Sequence, residues 1–251
     1  MGSEPHIPFL HGRVVAITRP AGTAAALARR VRACGGEPLL LPGLSLRASD
    51  AAGLRLEMRA ALKGDLLVFT SPAAVRFAAA LAPLRGDAAV LAVGQGTAQA
   101  LHRHGVQAQM PLRQDSEGLL DLPALRDVRG RRVALIGAAG GRGLLREQLA
   151  ARGAQLRELQ VYQRVPPRLD RRHIGAVQAL PRSARVLLSS AEALHNLMTL
   201  LPVAACARLR AAVAVASSER LAQAARAAGF ARIEQAGSAL AADLLEAAAR
   251  R

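Results

Sequence analysis

Apolar runs of four to six residues, many of them β-branched, recur along this chain. Each is followed by a tight group of Gly, Ser, Thr or Pro, then by an Ala/Leu/Arg stretch with apolar positions at helical spacing. A run without polar alternation is how a strand buried on both faces reads. Alternation of such runs with helical text predicts parallel sheets with helices on both faces. Three kinds of strand–turn–helix unit each occur twice, in the order A-B-C-A-B-C. Unit A is Val14–Ala33 and Val133–Arg152, unit B is Leu66–Phe77 and Val186–Leu197, and unit C is Val90–Gly105 and Val213–Gly229. The repetition predicts two like-folded α/β lobes with a ligand cleft between them. Gly35-Gly36, Gly105, Gly153 and Gly229 punctuate the helix ends, where the residue after the last turn takes positive φ.

Pro38–Leu41 and Gln155–Tyr162 supply further strands, whereas Pro42–Lys63 and Gln163–Ser183 lack the repeat. Consecutive lobes would need one linker. Joining the first A to the second B and C would instead make the chain cross twice. Repetition does not choose between them, but the extended text LPGLSL and VYQRVPP suits two crossings, with Pro166-Pro167 biasing Val165 toward extended backbone. This favoured version gives lobe 1 as residues 1–41 plus 176–251, lobe 2 as 46–162, and connectors at 42–45 and 163–175.

The length of 251 residues suffices for two domains with cores of their own. No apolar run approaches the ~18 residues of a membrane span. The start, MGSEPHIPFLHG, has neither a basic n-region nor an apolar h-region, and His6 spoils a myristoylation pattern, so a cytoplasmic protein without a membrane partner is expected. Cys34 and Cys206 lie in Ala-rich helical text and read as small core residues rather than a disulfide. Lys and Arg number 34 against 18 Asp and Glu, a net charge of +16 that suits anionic ligands. Lys63 is the lone Lys, and the arginines are scattered over helix faces. With one Tyr, four Phe and no Trp, the stacking platforms of a single-strand binder are missing. An anionic small molecule is therefore favoured over nucleic acid.

In open parallel sheets the ligand lies beyond the carboxyl ends of the strands. Those loops here are Thr18-Arg19-Pro20, Thr70-Ser71-Pro72, Gly94-Gln95-Gly96-Thr97, Gly137–Arg142, Ser189-Ser190 and Ser217-Ser218-Glu219-Arg220. Helix N-termini attract anions, Ser and Thr add donors, and Gly lets a ligand approach the backbone. Each loop also has a plain reading: Thr18, Ser71, Thr97, Ser190 and Ser218 are ordinary helix caps, and Pro20 and Pro72 good first-turn residues. The dinucleotide fingerprint fails at Gln99, and Gly137–Gly143 lacks the ending of a P-loop. None of the six histidines (His6, His11, His102, His104, His173, His195) has metal-ligand spacing, so no metal is expected. Tyr162, the single tyrosine, ends a strand at a proposed crossing; its hydroxyl could donate a proton or hydrogen bond, but on the residues alone a packed hinge aromatic is the preferred reading.

The fragments ITRP, LLVFTSPAAV, AVGQGTAQAL, MPLRQDSEGLL, GGRGLLREQLAARGA with VYQR, VLLSSAEAL and VASSERLAQAARAAGF follow one another in an order and spacing that resembles the uroporphyrinogen-III synthase family, in its proteobacterial branch. The resemblance covers essentially the whole chain. It implies two α/β lobes joined by a two-stranded connector, the N-terminal unit folding into the C-terminal lobe. It also implies a cofactor-free hydro-lyase of tetrapyrrole biosynthesis: linear hydroxymethylbilane, a polycarboxylate, loses water and closes to uroporphyrinogen III with ring D inverted. By this resemblance Tyr162 assists departure of the hydroxyl. Thr97, Ser71, Ser189 and Ser190 match family positions, and with Thr18, Arg19, Gly94, Arg142, Ser218 and Arg220 of the same strand-end loops they are expected to contact the substrate, largely through backbone N–H, with the three arginines as charged partners. A monomer receiving its substrate from the bilane-forming deaminase is expected. Ala73, Gly137-Ala138 and Ala216-Ser217-Ser218 depart from the family pattern and put contacts near them in doubt. A non-catalytic two-lobed anion sensor is the competing reading.

Overall fold

The computed structural model describes residues 9–140 and 143–250. Along the chain, β1 (Val14–Ile17), α1 (Ala25–Ala33) and β2 (Glu37–Leu40) precede β3 (Ser45–Ala48), α2 (Leu54–Ala61), β4 (Leu66–Phe69) and α3 (Pro72–Leu81). Next come β5 (Ala89–Ala92), α4 (Gln95–His102), the short α5 (Ser116–Asp121) and α6 (Pro123–Arg126), β6 (Arg132–Ala138), α7 (Leu144–Ala151) and β7 (Gln155–Val165). The remainder is α8 (Arg171–Gln178), β8 (Arg185–Leu187), α9 (Ala191–Leu200) and α10 (Val203–Arg210). It ends with β9 (Val213–Ala216), α11 (Glu219–Ala227), β10 (Arg232–Gln235) and α12 (Ala241–Ala249).

Two compact units result, Met1–Ser45 with Val165–Arg251, and Leu46–Arg164. The sheet of the first has the order β10-β9-β8-β1-β2, every neighbouring pair parallel. The second has the order β3-β7-β6-β4-β5, parallel from β7 to β5. Strands of units C, B and A therefore stand side by side as β9-β8-β1 in one sheet and β5-β4-β6 in the other. The first A strand pairs with the second B strand, and the chain crosses between units twice. The two crossing segments, β3 and β7, are neighbours in the second sheet.

Continuous apolar strands need cover on both sides, and both sheets have it. In the first unit Ala16, Val186 and Ala214 face Leu194, Leu197, Leu209 and Leu221, while Val15, Ile17, Leu187 and Val215 face Leu27, Val31, Leu244 and Leu245. In the second, Leu67, Phe69 and Ile136 face Met58, Val75 and Leu101, while Leu66, Val68, Leu91 and Leu135 face Leu119, Leu125, Leu145 and Leu149. Side chains of successive strand residues thus go to opposite layers, each fully buried Leu or Val contributing about 1.5–3 kcal/mol. Both cysteines are buried free thiols. No described helix is long and apolar enough to cross a membrane.

Three local expectations change. Helix α1 does not start after Pro20: a turn intervenes, with Gly22 at φ +77° and the Thr23 hydroxyl donating to Pro20 O at 2.7 Å. Strand β7 continues past Tyr162 to Val165. Within the stretch 163–175 expected as connector, helix α8 begins at Arg171, its start fixed by a capping box between Asp170 and His173.

Candidate active site

In each sheet the connections from the A and B strands leave in opposite directions, which opens a crevice at their carboxyl ends. That crevice lies between β4 and β6 in the second unit and between β1 and β8 in the first.

In the second unit it is a cavity of about 500 Å³ lined by Thr70, Ser71, Gly137, Gly140, Tyr162 and Arg164, among others. Ser71 caps α3: its extended backbone lets Oγ accept from Ala74 N–H at 3.0 Å, and Pro72 follows in the first turn, where no donor is needed. Tyr162 reaches the same oxygen, Oη lying 3.1 Å from Ser71 Oγ. The tyrosine ring stacks on Phe77 with centroids 5.3 Å apart and planes 16° from parallel, leaving it 7% exposed. A register shift in β7 aims it there. Gly137 pairs with Gln160 and Ala138 with Tyr162, so Val161 is an extra residue. The bulge brings Val161 and Tyr162, consecutive in sequence, into one apolar cluster with Leu159.

Thr70 closes the floor of this site. Its N–H and its hydroxyl both donate to Ile136 O, each at 3.1 Å. A Cβ on Gly137 would collide with Thr70 Oγ1, so the departure from the family pattern at Gly137 has a local cause. Arg164, two residues beyond Tyr162 on β7, directs Nη2 to Ala139 O at 3.4 Å and Gly140 O at 3.3 Å. At the next loop, Gly94 precedes α4 and Gln114 Oε1 accepts from Gln95 N–H at 3.0 Å. A side chain at Gly94 would collide with that amide. Thr97 lies inside α4 and is 2% exposed, a covered position rather than a cap.

The first unit uses hydroxyls differently. Thr18 is fully buried: its hydroxyl donates to Leu187 O at 2.9 Å and accepts from Ser189 N–H at 2.9 Å. The Ser189 hydroxyl returns to Thr18 O at 2.9 Å. These two residues stitch β1 to β8, so Thr18 is neither a cap nor open to a ligand. Ser190 caps α9 through Ala193 N–H at 3.0 Å, and Ser218 caps α11 through Leu221 N–H at 3.4 Å. Arg19 follows β1, half-buried, with no ion-pair or hydrogen-bond partner among the described residues. Burial lowers its pKa, although a guanidinium stays charged at neutral pH, so this cation suits an incoming carboxylate. Arg220 is exposed in the first turn of α11.

Of the expected residues, Ser71 and Tyr162 meet directly in the second unit, with Gly94 and Thr97 one loop away. Thr18, Arg19, Ser189 and Ser190 gather in the first, and Ser218 and Arg220 stand at the end of β9. Arg142 and His6 lie outside the described residues. Thr70 was named only as part of its loop, and Gln114 and Arg164 were not singled out by sequence. Arg164 was within reach, since it alternates with Tyr162 at strand spacing, but only if β7 is extended past the tyrosine. Among the described residues no cluster of His, Cys, Asp or Glu has the makings of a metal site.

A family model described as uroporphyrinogen-III synthase HemD matches residues 25–246. The uroporphyrinogen-III synthase of Salmonella typhimurium is 35% identical over 200 residues, covering 75% of this chain and 80% of that protein. Its Escherichia coli namesake is 32% identical over 202 residues, with the same coverage. Among solved structures, uroporphyrinogen-III synthetase from Helicobacter pylori superposes with a TM-score of 0.60 at 14% identity, covering 93% of this chain and 97% of that one. A mutant uroporphyrinogen III synthase from Thermus thermophilus gives 0.56 at 24% identity, covering 94% and 96%. At these identities the two structures speak for a shared fold. The family model and the sequence identities reach further, and from them it follows that this chain belongs to the uroporphyrinogen-III synthase family.

Proposed function

We propose that the chain cyclises linear hydroxymethylbilane to uroporphyrinogen III. The observation that carries this, beyond family membership, is the Tyr162 hydroxyl held on the first turn of α3 inside the second-unit cavity. In the reaction, the terminal C–O bond breaks and the oxygen leaves as water, while a pyrrole N–H proton is lost to give an electron-poor azafulvene. The substituted carbon of ring D attacks the freed methylene carbon. The resulting spiro intermediate fragments and recloses through the other carbon, which inverts the ring. Tyr162 donates a hydrogen bond to the departing hydroxyl. Closure without inversion needs no protein, so the remaining task is to hold the bilane folded for the harder attack. Its carboxylates meet Arg19, Arg220 and backbone N–H groups at the starts of α9 and α11. Arg142 completes the expected set. Two buried free cysteines suit a reducing compartment and so a cytoplasmic location; a monomer that takes its substrate from the bilane-forming deaminase is what the family resemblance implies.

The test is to feed freshly generated hydroxymethylbilane to the purified protein and separate the oxidised uroporphyrin isomers. Type III in excess of a no-enzyme control is expected. Type I alone, at the spontaneous rate and with the protein verified as folded, would leave an anion-binding protein without this chemistry.

A further inference from the structure

The contact between Ser71 and Tyr162 does more than fix a side chain, given the reading that Tyr162 meets the departing hydroxyl. A serine oxygen has two acceptor positions and one proton. At Ser71 one acceptor position is taken by Ala74 N–H, because the residue caps α3. The bond to Tyr162 Oη then has two proton arrangements. Donation from tyrosine to serine spends the phenol proton on the cap. Donation from serine to tyrosine leaves the phenol proton directed into the cavity.

We infer that Ser71 is a positioning residue that donates to Tyr162 Oη. Ala74 N–H, Ser71 O–H and Tyr162 O–H then form three donors in line, running from the first turn of α3 to the ligand. The helix N–H draws density from Ser71 Oγ and makes its proton the better donor, and each bond in such a chain polarises the next. The chain is rooted at the positive end of a ten-residue helix, which favours negative charge gathering on the phenol oxygen. Stacking on Phe77 and the bulge at Val161 prevent the ring from swinging to a different partner. Ser71 thus acts through Tyr162, and its own proton is not offered to the substrate.

Two substitutions separate this role from plain capping. Ser71→Thr keeps the cap oxygen and the proton. Ser71→Asp keeps a strong cap but has no proton to give at neutral pH, so it accepts from Tyr162 and turns the phenol proton away from the cavity. Read as kcat at saturating bilane, which sets aside any effect of the new charge on KM, Ser71→Asp is expected to fall to the level of Tyr162→Phe. That level is a loss of roughly 10- to 100-fold, the scale of a hydrogen bond to developing charge, with type III still the product. Ser71→Thr recovers most of the rate lost in Ser71→Ala. The double variant Ser71→Asp/Tyr162→Phe is no slower than Tyr162→Phe alone. Thermal melts of the Thr and Asp variants check that both fold. Equal turnover by the Asp and Thr variants, or losses that multiply in the double variant, would overturn the inference while Tyr162 keeps its role. An unchanged rate in Tyr162→Phe removes Tyr162 and the donor chain together. Absence of type III product from the unmodified chain removes the synthase reading itself.

Discussion

Gly137 lacks a side chain because Thr70 occupies the space one would need. Two bonds from Thr70 converge on Ile136 O and hold β4 against β6 where the cavity opens. An added methyl group would overlap the Thr70 hydroxyl oxygen. Threonine is stiff about χ1, so it yields only by giving up its bond. Gly137→Ala is therefore expected to destabilise the protein by about 1–3 kcal/mol, the range for overpacking. Because Thr70 adjoins Ser71, turnover falls with it. Adding Thr70→Ala frees the space, so the double variant is more stable than the sum of the single losses. Urea unfolding of the four proteins gives the coupling directly, and simple additivity would mean that the two residues do not compete for the space.

At the scale of elements, Asp65 joins two strand starts. Its Oδ2 accepts from Arg132 N–H at 2.7 Å just where β4 and β6 begin. That backbone bond, aided by the Arg132 charge, holds the carboxyl below its usual range. A carboxyl with a lower pKa folded than unfolded stabilises the fold above its unfolded pKa of about 4, and the benefit fades as pH falls through the folded value. Asp65→Asn should thus have a lower urea midpoint than the parent at neutral pH, with the gap narrowing in acid. A gap that ignores pH would show that the carboxylate charge contributes nothing. The same scale explains what the sequence made legible. Strands covered on both faces read as unbroken apolar runs, and caps such as Ser71, Ser190 and Ser218 act within three residues, so both were visible. Thr18 looks like another cap, but the carbonyl it bonds is Leu187 O, a partner set by sheet pairing far along the chain. The register of β7 on β6, and the bulge that aims the tyrosine, likewise depend on the partner strand. No local pattern encodes them.

At the scale of the molecule, one unit is continuous and the other is not. Residues 46–164 contain two complete apolar layers, and their first and last strands, β3 and β7, are neighbours. Expressed alone, this segment is expected to melt cooperatively with protected backbone amides in β4 and β6. Residues 1–45 are expected to stay unfolded alone, since β1 lies between β2 and β8 and the latter is absent. A non-cooperative melt of 46–164 would show that it borrows stability from the rest of the chain. That inner position of β1 also sets a timetable for synthesis. Ile17 pairs with Leu187, so 170 residues (187 − 17) must be added before the strand acquires its second partner, β8. At about 5–20 residues per second the wait is roughly 10–30 s. Throughout it Val15, Ile17 and the apolar side of α1 lack the cover that Leu187, Leu244 and Leu245 supply in the finished fold. Strand β1 and helix α1 are thus made before residues 46–164 but completed only after them.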